Sequence, residues 1–183
     1  LLAELLYKND YAQTNRMELI QAVDYFDSLC CRDVSGNVST LALLDARAHY
    51  INGVGYNEND SVVEACNEYL KALEMMENHF EKKELVGDKA RLMALTYTHL
   101  TDLFSSLYLH EQAIYYGKES LAYYNNYDAS VWHVGWILNE IGSHYDMMKD
   151  YDSAYYYYHE TLMVLPDTNN LTHRDVATLL AFL

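Results

Sequence analysis

Proline is almost missing from this chain, with one residue at position 166, and glycine occurs only seven times. A β protein with many tight turns needs both, so that class is excluded. Basic residues are also scarce: Lys and Arg number 12 against 27 Asp and Glu, for a formal net charge of -15. A surface this acidic repels phosphate backbones, which argues against nucleic-acid contact by this segment and favours basic or neutral partners. No run of about 18 apolar residues is present to cross a bilayer, and no basic-then-apolar leader precedes the first polar stretch. Cys30, Cys31 and Cys66 form neither a disulfide framework nor a CxxC metal spacing, and they read as small buried hydrophobes. The chain opens on LLAELLY without Met and stops at LLAFL inside a helical pattern, so a longer parent protein is expected.

What is abundant suits helices. Leu, Ala, Glu and Met are good helix formers, and the expected class is all-α. Tyrosine is heavily used, at 19 residues; its ring packs between helices while its hydroxyl reaches water or a polar partner, as thin helical layers require. The most legible stretch runs from Trp136 to Pro166 and reads as two helices folded back on each other. Leu138, Ile141, Gly142 and Tyr145 mark the first helix; Ala154, Tyr158, Thr161 and Leu162 mark the second, and Pro166 closes the unit. Gly142 and Ala154 let the backbones approach, while Tyr145 and Tyr158 fill the space beside that contact. One hairpin cannot bury its own apolar face, so further copies are expected.

This spacing resembles the tetratricopeptide repeat (TPR), and the likeness implies an α-α superhelix of antiparallel hairpins, about nine helices in a single domain over residues 1–183. Residues 1–32 read as a degenerate repeat, with Ala22 and Phe26 spaced as Ala154 and Tyr158 are. Residues 39–80 carry Gly53, Tyr56, Ala65, Tyr69 and Ala72 at the central positions, with Asn52 where Leu is usual. Residues 89–124 carry Tyr97, Leu100, Thr101, Phe104 and Ala113. Gly117 and Ser120 stand there in place of an aromatic and an alanine, with Tyr116 beside them to supply the ring. The third hairpin spans 131–166, and residues 172–183 begin another repeat whose apolar face, Val176, Leu179, Leu180 and Leu183, needs a partner. Self-association through that terminal repeat is one expectation.

The candidates for chemistry are weak. His159 and Glu160 open an HExxH pattern, but Met163 replaces the second His. His144, Asp146, Asp150 and Asp152 lack the glycine and the closing glutamate of a calcium loop and read as a solvated polar edge. No phosphate loop, GxSxG elbow or Cys–His pair occurs; Asp24 with Asp27 and Glu74 with Glu77 read as solvated faces. The run Tyr155 to Tyr158 travels round most of a helix circumference and needs no cofactor to explain it. No enzyme activity, metal or cofactor is expected.

The TPR likeness implies that the first helices line a concave wall. Carried over by position, the wall holds Arg47, Tyr50, Ile51, Val54 and Asn57, then Leu95, Thr98, His99, Asp102 and Ser105, then Trp136, Asn139, Glu140, Ser143 and Asp146. Chiefly Arg47 and Asn139 match the residues with which TPRs clamp a peptide carboxylate; the wall is otherwise aromatic, hydroxyl-bearing and acidic, which suits a polar or basic protein or peptide segment or another part of the same protein. Tyr50, His99 and Asn139 are the first expected contacts.

The stretches AVDYFDS, LALLDARAHYINGVGY, MALTYTHLTDLFSSLYLHEQAIYYGKESL, WHVGWILNEIGSHYDMMKDYDSAYYYY and LPDTNNLTHRD resemble the N-terminal TPR region of Bacteroides-type regulatory proteins. That likeness implies a periplasmic sensor array, joined in the parent chain to a membrane helix, a coiled coil and a cytoplasmic DNA-binding or kinase output. The alternatives are a free-standing scaffold or cell-envelope assembly factor, in the periplasm or the cytoplasm, and an array that spaces an attached enzyme.

Overall fold

The computed structural model describes residues 38–124, 126–127 and 131–164. These residues form six α-helices, with no strand among them: α1 (Val38–Asn57), α2 (Val62–His79), α3 (Asp88–Ser106), α4 (His110–Tyr124), α5 (Val131–Met147) and α6 (Tyr151–Val164). The all-α expectation holds, and three expected hairpins appear as α1–α2, α3–α4 and α5–α6, each packed side by side. The expected repeats at 1–32 and 172–183, which would bring the helices to about nine, lie outside the described residues.

The three hairpin turns have one geometry. In each, a non-glycine residue takes a left-handed backbone: Asp60 at φ 57°, Tyr108 at φ 58° and Lys149 at φ 62°. Each donates its N–H three residues back, to the carbonyls of Asn57, Ser105 and Asp146. The next residue donates five back, from Ser61 to Tyr56, Leu109 to Phe104 and Asp150 to Tyr145, at 2.9–3.0 Å. This paired bonding satisfies carbonyls that a helix end leaves open, and it closes each first helix at the same aromatic position. Beyond the turn, Ala65, Ala113 and Ala154 each donate back to that same residue and start the second helix in the same register.

Between hairpins the connectors differ. The charged break after α2 forms a short 3-10 turn, Lys82–Glu84, capped by Glu81 and Glu84 on each other's backbone N–H. Gly87 then takes φ +58° and ψ -128°, a conformation that L side chains avoid, and its N–H donates to the Asn126 carbonyl at 2.9 Å. That bond ties the α2–α3 connector to the α4–α5 connector.

Close approach within the hairpins follows the glycines. A Cβ on Gly53 would sit 2.6 Å from the Tyr69 ring, and one on Gly142 would sit 2.9 Å from the Tyr158 ring. The middle hairpin departs from this scheme. There the glycine is Gly117 on the second helix, and Ile141 from α5 fills the space, with its Cγ1 2.8 Å from where a Cβ would stand. Tyr116 does not supply the missing ring; it stacks on Phe104 and Tyr97 at 5.2 and 6.2 Å between centroids. Ser120 replaces alanine without stranding its hydroxyl, which donates to the Ala94 carbonyl at 2.9 Å and pairs with Thr98 at 2.8 Å. One apolar cluster runs from Ala42 to Ile137 through the first two hairpins into α5, and a smaller one joins Ala154 and Tyr158 to Tyr145 and Leu162.

Candidate functional site

The wall expected from the sequence lies on α1, α3 and α5, and its residues divide by burial. Arg47, Tyr50 and Thr98 are withdrawn from solvent, which corrects the expectation that they stand open to a ligand. Arg47 pairs with Asp88 at 3.2 Å, spanning α1 and the start of α3. Thr98 is held by Ser120 and by the Tyr124 hydroxyl at 3.1 Å. Tyr50 belongs to a three-ring cluster: its hydroxyl meets His99 Nε2 at 3.1 Å, and the His99 ring stacks on Tyr69 at 5.5 Å with 9° between planes. The cluster is a joint between the first two hairpins because each ring comes from a different helix, α1, α2 or α3.

Ile51 is buried as well, whereas the other expected wall residues keep access to water. Val54, Asn57, His99, Asp102, Asn139, Glu140 and Ser143 are half-buried, and Trp136 is exposed. Val54 packs against the main core. Burial pushes the Tyr158 hydroxyl up to about 12, with Ser143 acting in the opposite direction. Asn139 Oδ1 is buried without a hydrogen-bond partner.

The electrostatics concentrate on two carboxyls. Burial, reinforced by the nearby charge of Glu140, pushes the Asp102 carboxyl up to about 7. Burial pushes Glu140 up as well. Among the described residues neither carries an ion pair or a hydrogen bond, and no lysine or arginine offsets either shift. Tyr69 is fully buried and its hydroxyl has no partner; burial raises it, with added contributions from Tyr50, Asp102 and Glu58.

Two polar constellations were not read from the sequence. Glu68 on α2 accepts from His49 at 2.8 Å, Asn52 at 2.9 Å and Lys71 at 2.8 Å; burial pushes its carboxyl up, but these bonds outweigh it and hold it at about 2. The only local signal was the three-residue spacing of Glu68 and Lys71. His144 turns inward instead of standing on a solvated edge, and its Nδ1 lies 3.1 Å from Nδ1 of His110. Asp150 does stay exposed, where it caps α6 by accepting from the Ser153 N–H and hydroxyl. Among the described residues no three metal-ligating side chains converge, and no helix is long and apolar enough to cross a membrane. In the tyrosine run, Tyr155 and Tyr156 are exposed while Tyr158 is buried, as the helical period requires. Cys66 is half-buried beside the main core, whereas Cys30 and Cys31 lie outside the described residues.

No family model and no curated protein matches the chain. Among solved structures it is similar to BtubC (BKLC) from P. vanneervenii, with a TM-score of 0.63 and 16% sequence identity over 99% of this chain and 67% of that one. At this identity the likeness speaks to fold alone, and it fits a helical-repeat protein.

Proposed function

We propose that this chain is a non-enzymatic protein- or peptide-interaction and sensing module of a larger bacterial regulatory protein. In this reading its hairpins are TPR-like units stacked into a superhelix, and α1, α3 and α5 form the inner wall. The observation that carries it is the set of half-buried polar groups on α3 and α5, Asp102, Asn139 and Glu140, which the fold leaves without partners at considerable cost. The common turn geometry at Asp60, Tyr108 and Lys149 supports the repeat assignment. Placement in a membrane-anchored regulator, on its periplasmic side, rests on the sequence resemblance.

Sequencing the native reading frame on both sides of this segment tests the assignment. An apolar span and a DNA-binding or kinase domain are expected in the same frame. A frame with neither would overturn the regulator reading and favour a free-standing scaffold or assembly factor.

A further inference from the structure

The shared turn geometry makes positions in successive hairpins equivalent, and one pair of positions changes its chemistry along the chain. Two residues after the left-handed turn residue stand Val62, His110 and Tyr151; five residues before it stand Gly55, Leu103 and His144. At the seam between the first and second hairpins this pairing is Val62 of α2 with Leu103 of α3; Leu103 belongs to the main apolar cluster and Val62 packs against it. At the seam between the second and third hairpins it is His110 of α4 with His144 of α5. Their ring centroids lie 5.3 Å apart and their Nδ1 atoms 3.1 Å apart.

Aliphatic side chains are enough to fill such a seam, so the fold does not require imidazoles there. His144 is 4% exposed, and its Nε2 is buried without a partner. Among the described residues neither ring has a hydrogen bond or ion pair except with the other. Burying polar rings where a valine and a leucine would serve is unfavourable. The geometry, however, suits a shared ion. With metal–nitrogen bonds of about 2.0–2.1 Å, two nitrogens 3.1 Å apart subtend about 95–100° at the ion, and opening to the tetrahedral angle separates them by only about 0.25 Å more. Ligation needs a lone pair on both Nδ1 atoms, which places each ring's proton on Nε2. Nε2 of His144 has no partner in either tautomer, so the shift breaks no bond at that atom.

We propose that His110 and His144 form a seam site for one divalent transition-metal ion of the zinc or copper(II) class, each ligating through Nδ1 and leaving the remaining positions to water. Imidazole nitrogen suits these ions, whereas magnesium and calcium take oxygen ligands. The net charge of -15 concentrates cations around the chain. The two histidines are 34 residues apart in sequence, so the ion binds the folded chain and pins the third hairpin to the second. The site stands whether or not α1, α3 and α5 form a binding wall.

The test adds Zn2+ to the full 183-residue chain and follows the imidazole signals by NMR, with Mg2+ as the hard-ion control. The signals of His110 and His144 should shift together and before those of any other histidine, the melting temperature should rise, and Mg2+ should do neither. His110→Val with His144→Leu copies the first seam; it should fold and bind Zn2+ at least about tenfold more weakly, the loss that even an outer-shell partner of a metal commonly causes. His133→Gln with His159→Gln, both at exposed positions, should leave Zn2+ binding unchanged. Zinc that shifts other histidines first, that shifts neither His110 nor His144, or that is held equally well by the His110→Val, His144→Leu variant overturns the site.

Discussion

Ile141 of α5 occupies the space over Gly117 of α4 that a ring from the same hairpin fills in the other two units. The second and third hairpins are therefore keyed together by one aliphatic side chain. Gly117→Ala should destabilise the chain by about 1–3 kcal/mol, because the new methyl meets Ile141 Cγ1 at 2.8 Å. In urea unfolding, the double variant Gly117→Ala with Ile141→Ala should lose less than the sum of the two single losses. Strict additivity would show that the two side chains do not share that space.

The ring-on-glycine contacts make a parallel prediction within a hairpin. Gly142→Leu and Gly53→Ala should each cost about 1–3 kcal/mol, since Tyr158 and Tyr69 are buried and have nowhere to retreat. Gly55→Ala on the same helix meets nothing within 4 Å and serves as the control, with unchanged or slightly increased stability.

The left-handed turn residues should respond in the opposite direction. Tyr108 and Lys149 pay a steric cost that glycine does not, so Tyr108→Gly and Lys149→Gly should each stabilise by about 1 kcal/mol. Gly87→Ala should destabilise by a similar amount, about 1–2 kcal/mol, because φ +58° with ψ -128° excludes a Cβ. A thermal melt that moved the same way for all three variants would contradict the backbone geometry.

Glu68 gives the chain an acid limit. Its carboxyl is held at about 2 when folded, against an ordinary value of 4.5, so its stabilising contribution is full above pH 4.5 and is lost as the pH falls toward about 2. Glu68→Gln should lower the melting temperature near pH 7 and flatten its decline across that acidic window. A decline as steep as in the unsubstituted chain would assign acid unfolding to other groups.

Asp102 acts with the opposite sign. Its folded carboxyl titrates at about 7 against an ordinary 3.8, so between these values the folded chain binds more protons than the unfolded one. Stability therefore falls as the pH rises from 3.8 to about 7. Asp102→Asn should raise the melting temperature at pH 8 and change it little at pH 4. A loss of stability at pH 8 would mean that the carboxylate has a stabilising partner in the fold.

The sequence by itself determined the local features: helix limits within a few residues, the three hairpins, and the close approach at Gly142, which it set against Ala154 where the structure sets the Tyr158 ring. Each follows from the helical period, from residues that end a helix, or from volume at a fixed offset within one hairpin. Tertiary structure decided what depends on contacts between helices far apart in the chain. The TPR resemblance implied an inner face for Tyr50 and Arg47, and packing closed that face over them, with His99 from α3 and Asp88 at its start. The same is true of Ile141 over Gly117, His144 against His110, and the unpaired Asp102 beside Glu140. Spacing along one helix reports the direction of a side chain; its desolvation and its partners are set by the neighbouring helices, whose approach no single segment encodes.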